Sequence, residues 1–262
     1  MKFRQPNFRL AGMTAITLSL WIISACASFQ DKEKALSAPE LIQKGTKETK
    51  RGYLIEATSA FQQVLEDYPD SKERVKALLL LARTYYSNEE YEEAKFHFQK
   101  FIELYPAHKQ IDRAYFYNTM SDYKRIDLAQ RDQTYTQEAL EGFEQLIIRF
   151  PKSRYLNDAR IKKKECETIL ARNIFEIGKF YFRTGSYQPA ITRLRNLMEE
   201  YPNQKFQGEP VFLIAESYYH EQNFSEALNS YKQFLKKYPR SPFTLQAQKR
   251  LKALRRNRLY DR

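Results

Sequence analysis

The stretch Tyr91–Pro106, "YEEAKFHFQKFIELYP", decides how the chain folds. Ala94 stands twelve residues before its proline, Phe98 eight and Ile102 four. The same grammar recurs at four other aromatic–proline pairs, Tyr68-Pro69, Phe150-Pro151, Tyr201-Pro202 and Tyr238-Pro239. Twelve before each proline lies alanine (Ala57, Ala139, Ala190, Ala227), and eight before lies a large apolar residue (Phe61, Phe143, Leu194, Tyr231). Four before lies another apolar residue (Leu65, Ile147, Met198, Leu235). A spacing of four puts these side chains on one face of a helix. Proline cannot continue a helix and biases the residue before it away from helical geometry, so each copy ends there.

A second set of small residues stands twelve positions before the alanine in four copies: Gly45, Ala82, Gly178 and Ala215. Aromatic pairs follow in "ARTYY" and "AESYY". Two antiparallel helices meeting small residue against small residue make a hairpin of about 34 residues, and the Gly/Ala, Ala-x₃-Phe and Pro positions resemble the tetratricopeptide repeat. Five repeats are expected, over roughly 37–70, 74–107, 111–152, 171–203 and 208–240, with a capping helix over about 242–258. One hairpin cannot bury its apolar face, so the expected fold is all-α, an α-solenoid of stacked hairpins.

Two copies depart from the pattern. The interval from Ala114 to Ala139 is 25 residues where Ala77 to Ala94 is 17, and the excess falls in the polar "RIDLAQRDQTYT", Arg125–Thr136, read as a long loop. From Ala159 to Ala190 is 31 residues. Most of it falls in "NDARIKKKECETILARNIFEIGKFYF", residues 157–182, which has no proline, and no glycine until Gly178, so it reads as one long helix bridging repeats three and four.

The N-terminal "MKFRQPNFR" carries Lys2, Arg4 and Arg9 and no acid, and an apolar run of 14 residues follows, Leu10–Ile23. A helix needs about 20 residues to span a bilayer, so this is a signal segment. It leads into "WIISACASFQ", in which Ile23-Ser24-Ala25-Cys26 resembles the bacterial lipobox. That resemblance implies alkylation of the Cys26 thiol by diacylglycerol, cleavage before it and acylation of the new amine; Ala27 in place of aspartate points to the outer membrane. Three acyl chains hold firmly where one does not. The expected organisation is signal peptide 1–25, lipidated linker 26–36, repeats one to three over 37–152, then the bridging helix, repeats four and five and the cap over 153–262. Without residues 1–25 the charge is 41 basic against 32 acidic, or +9, from 44 basic residues less three. Such a balance suits nucleic acid, anionic lipid or acidic protein, and an exported lipoprotein meets the last two.

The lipobox, five repeats, the long loop and the bridging helix leading into "GKFYFRTGSYQPAI" together resemble the BamD family, the repeat lipoproteins of the outer-membrane β-barrel assembly (BAM) machinery. The likeness covers essentially the whole mature chain and is most specific over Phe143–Pro202. It implies a protein without enzymatic activity, anchored under the outer membrane by its lipid. It implies as partners the barrel-forming subunit BamA on the C-terminal half, other BAM lipoproteins, and nascent β-barrel proteins whose C-terminal signal meets the N-terminal repeats. Periplasmic coordinators of cell-wall synthesis carry similar repeats, but usually lack the lipobox and the bridging helix.

First-helix side chains line the groove of such hairpins. Counting from Ala82, they are Lys76, Leu79, Arg83 and Tyr86; counting from Thr119, they are Arg113, Phe116, Met120 and Tyr123. Arginine holds a carboxylate by two hydrogen bonds and aromatic rings cover apolar groups, which suits a peptide ending in an aromatic residue. The same rings at the same spacing also serve helix–helix packing. Two basic runs are candidate partner surfaces: "KSRYLNDARIKKK" with Lys162 and Lys163, and "QKRLKALRRNRLYDR" with Arg250, Arg255 and Arg256.

Nothing in the sequence points to catalysis. His97, His108 and His220 are not paired at helical spacing, and Cys166 has no cysteine neighbour. A zinc site needs clustered ligands, and no nucleophile elbow, Walker loop or dinucleotide fingerprint occurs. No cofactor, no metal and no nucleic acid is expected.

Overall fold

The computed structural model describes residues 35–206 and 208–257, so the expected signal segment, Cys26 and most of the linker lie outside the described residues. Eleven helices and no strand occur among the described residues. The first hairpin is α1 (Ala38–Arg51) and α2 (Leu54–Asp67), the second α3 (Glu73–Ser87) and α4 (Tyr91–Leu104), the third α5 (Ile111–Lys124) and α6 (Thr134–Arg149). The long helix α7 (Leu156–Arg183) pairs through its second half with α8 (Tyr187–Glu200). The fifth hairpin is α9 (Glu209–His220) and α10 (Phe224–Lys237), capped by α11 (Thr244–Asn257). Each helix packs against the one before it and the one after it, the arrangement of a solenoid.

Each second helix stops where the sequence requires. Tyr68, Tyr105, Phe150, Tyr201 and Tyr238 are the C-caps, and each donates its N–H to the carbonyl four residues back before proline ends the ladder. The turns inside the hairpins share one device. Gly52, Glu89, Gly185 and Gln222, each five residues before the repeat alanine, all have positive φ of 83°, 63°, 78° and 59°. The third hairpin replaces that turn with the loop over 125–133. Asn173 of α7 donates to the Ala129 carbonyl at 2.6 Å, and Gln133 donates to the carbonyls of Leu128 and Arg131 at 3.0 Å, so the loop is fastened to the bridging helix.

Two expectations about the core need correction. The repeat alanines and the residues eight before proline are fully buried. Four before proline, Ile102 is buried and Leu65, Ile147 and Leu235 are partly so, but the more deeply buried third position lies five before proline. Val64, Phe101, Leu146, Leu197 and Phe234 are at most 1% exposed, whereas Met198 is 36% exposed. Steps of four then three hold one face of a helix of 3.6 residues per turn; two steps of four drift off it. The two glycines among the small first-helix residues lie closest to a large residue rather than a small one. A Cβ added to Gly45 would lie 2.6 Å from the Phe61 ring, and one on Gly178 would lie 2.7 Å from Leu194, so the small residue of the first helix receives the large residue of the second. In the third hairpin the roles reverse, with Gly142 of α6 against Thr119 of α5.

The core is a chain of clusters. α7 supplies Ala159 and Cys166 to the cluster of repeat three, and Ala171 and Phe175 to the large C-terminal cluster, which α11 seals with Ala247 and Leu254. The long helix is thus the strut between two sets of repeats.

Candidate peptide groove and partner faces

The side chains of Lys76, Leu79 and Arg83 fall on one stripe of α3, because offsets of three and four return to the same face. Together with Lys109, Gln110 and Arg113, which begin the next hairpin, they border a cleft of about 430 Å³. Leu79 is buried beneath it, Lys76 and Arg83 are exposed, and Arg113 is half-buried. Although Arg83 is exposed overall, partial desolvation of its guanidinium within the cleft and the nearby Arg113 charge press its pKa down from the ordinary value. Arg113 Nε is enclosed without a hydrogen-bond partner among the described residues. Two guanidinium groups over an apolar floor form a site for a carboxylate joined to an apolar group.

The other four groove candidates are committed to packing. Tyr86 meets Tyr91 and Tyr117 edge-on, with ring centroids 5.4 and 5.0 Å apart, and burial pushes its hydroxyl up to about 12. Phe116 is buried and stacks on Tyr155 at 4.5 Å, and Met120 is buried in the same cluster. Tyr123 donates its hydroxyl to Glu165, while the Lys162 ammonium lies 4.6 Å from its ring centroid. Of the eight groove candidates, Lys76, Leu79, Arg83 and Arg113 are the ones that border the cleft. Lys72 and Lys109, which sequence reasoning missed, also border the cleft.

The basic runs divide in the same way. Lys162 is paired with Glu165 at 2.9 Å, and Lys163 with Glu144 at 3.1 Å and Glu167 at 3.2 Å, so these two charges are answered within the chain. Arg250 turns inward to buried Glu216, a carboxylate that charge runs alone could not connect to it. Arg255 and Arg256 are exposed on the last turn of α11, where cations suit the helix dipole, and neither is ion-paired among the described residues.

Cysteine and histidine are engaged in packing rather than gathered into a cluster among the described residues. Cys166 is fully buried, and burial pushes its thiol up to about 12, away from nucleophilic use. His97 stacks on Tyr85 at 5.3 Å and His220 on Tyr187 at 5.0 Å. Among the described residues no helix is long and apolar enough to cross a membrane.

The fold is that of a tetratricopeptide protein, and the repeat profile matches residues 211–241. The profile of the YfiO family, described as "Outer membrane lipoprotein", matches residues 34–223, and the chain belongs to that family. It is 27% identical to "Outer membrane protein assembly factor BamD" of Caulobacter vibrioides, over 79% of this chain and 70% of that protein. It is 25% identical to the protein of that name from Xylella fastidiosa strain Temecula1, over 82% and 78%, and 26% identical to the one from Pasteurella multocida, over 80% and 84%. Among solved structures, the TPR2AB domain of yeast Sti1 in its pHSP90 complex is similar with a TM-score of 0.46 at 17% identity, over 83% of this chain and 82% of that one.

Proposed function

We propose that the protein is a non-enzymatic adaptor for the assembly of outer-membrane β-barrel proteins, like the relatives whose names say so. Its lipid, on Cys26, holds it at the periplasmic face of the outer membrane. The groove of repeats one to three receives the C-terminal signal of a nascent barrel protein, a strand with an aromatic end and a terminal carboxylate. The C-terminal half, through the free cations Arg255 and Arg256, engages the barrel-forming subunit BamA and the other lipoproteins of the machinery.

The observation that carries this reading is the Arg83–Arg113 pair above Leu79, two cations over an apolar floor that have no acid partner among the described residues. The pair costs the free protein mutual repulsion and is relieved by an anion. The test is the affinity of the purified full-length protein for a labelled peptide ending in a free phenylalanine carboxylate. Arg83→Glu with Arg113→Glu should abolish measurable binding, and amidation of the peptide should weaken it about tenfold or more. Unchanged affinity in the double variant would sink the groove assignment.

A further inference from the structure

Taking that groove as a peptide site, we propose that it runs on across the first repeat and is built for an extended segment carrying several carboxylates, not the terminal one alone. A second cleft of about 500 Å³ adjoins the first, and Lys76 borders both. It is bordered by Pro39, Ile42 and Thr46, with Lys47 and Lys50 beside them. Those first three residues stand six and three before, and one after, Gly45. Lys76, Leu79 and Arg83 stand at the same offsets from Ala82. The two clefts are therefore the same surface of successive repeats, as one continuous ligand requires.

Their charge is one-sided. Lys47, Lys50 and Lys76 continue the lysines and arginines of the first cleft, and no aspartate or glutamate among the described residues lines either cleft. None of these cations is in an ion pair among the described residues, whereas Lys95, Lys162, Lys163, Lys179 and Arg250 each hold an acid. Asp112, the acid beside Arg113 in sequence, is spent locally. Its Oδ1 accepts the backbone N–H of Arg113 at 2.8 Å and its Oδ2 accepts the Ser153 hydroxyl at 2.7 Å. A row of cations on one surface, with no acid lining it among the described residues, is the electrostatic complement of a polyanionic ligand.

The floor selects a peptide among polyanions. Ile42 and Leu79 are buried, and Val75 and Leu80 are half-buried. An extended strand sends alternate side chains to opposite sides. One set of apolar side chains can rest on that floor while acidic neighbours turn to the lysines.

The test uses the full-length protein in detergent and fluorescence anisotropy with two synthetic peptides of equal length. Both end in a free phenylalanine carboxylate. One has glutamates at alternate upstream positions and the other has glutamines there. We expect the glutamate peptide to bind about tenfold more tightly at low ionic strength, with the advantage fading as salt screens it. Lys47→Glu with Lys50→Glu, at two exposed positions, should remove that advantage and leave the glutamine peptide unaffected. Equal affinity for the two peptides, or an advantage indifferent to Lys47 and Lys50, would overturn this proposal while leaving the terminal-carboxylate reading intact. Failure of both peptides to bind would remove the two together.

Discussion

Arg250 holds Glu216 at two points, Nε on Oε1 and Nη2 on Oε2, each at 3.1 Å. Glu216 lies in α9 and is only 3% exposed, and the Tyr231 hydroxyl of α10 donates to the same Oε1. The Arg250 guanidinium also lies 4.2 Å from the Tyr219 ring centroid. One carboxylate thus ties α9, α10 and α11 together, and Arg250 works as the bolt of the cap.

Removing the bolt leaves a buried carboxylate with a single hydroxyl donor. Arg250→Ala should lower stability by about 2–3 kcal/mol, below the range for a fully buried pair because the arginine is partly solvated. The loss should be local first. Amide hydrogen exchange over 244–257 should accelerate in Arg250→Ala while α1 to α4 keep wild-type protection, as quasi-one-dimensional stability requires. Uniform acceleration along the chain, or none in α11, would contradict the bolt.

The hairpin turns provide a second test. Gly52 and Gly185 adopt positive φ at no steric cost, while Glu89 and Gln222 occupy the same turn position as L-residues. Left-handed backbone costs a residue with a Cβ about 1–2 kcal/mol, partly offset by the greater freedom of unfolded glycine. A Cβ at Gly52 or Gly185 would meet nothing within 4 Å, so the effect there is conformational alone. Gly52→Ala and Gly185→Ala should each destabilise by about 1 kcal/mol, and Glu89→Gly and Gln222→Gly should each stabilise by up to about that amount. Urea unfolding of the four variants would show the opposite signs.

Close approach makes a third prediction. Gly45 and Gly178 sit where a Cβ would press into Phe61 and Leu194, both fully buried in the close-packed core. Gly45→Ala and Gly178→Ala, though favourable by helix propensity, should each cost about 1–3 kcal/mol through overpacking. Thermal unfolding followed by far-ultraviolet circular dichroism should show Tm falling in both. Gly45→Ala combined with Phe61→Leu should recover part of the loss.

The helices were legible because proline marks each end and because alanine and aromatic residues return at fixed distances from it. The long helix was legible from the missing breakers between Ala159 and Gly178. The packing partner of each position was harder to read. Gly45 could be seen as small, but only the crossing of α1 and α2 shows that it faces Phe61 rather than another small residue. Within the site, Arg83 and Arg113 were readable from the stripe, whereas Phe116 and Met120 on equivalent offsets are drawn into the core by Phe143 and Tyr155. Lys47 and Lys50 stand two and five after Gly45, one position past the stripe offsets of one and four, so that stripe does not reveal them. Arg250 looked like one more surface cation because its partner lies 34 residues away on another helix.

Asp122 makes the last prediction. It is 3% exposed, and Lys95 Nζ bridges it to Glu138 at 2.7 Å on each side, joining α4, α5 and α6. Burial raises the Asp122 carboxyl from its ordinary 3.8 to about 6, against the pull of Lys95. Glu138 moves the other way, held down chiefly by its hydrogen bond from Lys95. For Asp122 the folded state keeps its proton when the unfolded state has lost it, so its contribution to stability is fully present below pH 3.8 and lost as pH rises toward about 6. Glu138 contributes oppositely, with stability present above its ordinary value and lost as the medium acidifies below it. Asp122→Asn removes the first titration and keeps the Lys95–Glu138 hydrogen bond that chiefly sets the second. Its stability relative to wild type should therefore improve between pH 4 and pH 6, by on the order of 2 kcal/mol, and then level off. Urea midpoints of both proteins at closely spaced pH values would measure this, and a constant difference across the window would show that Asp122 is ionised throughout.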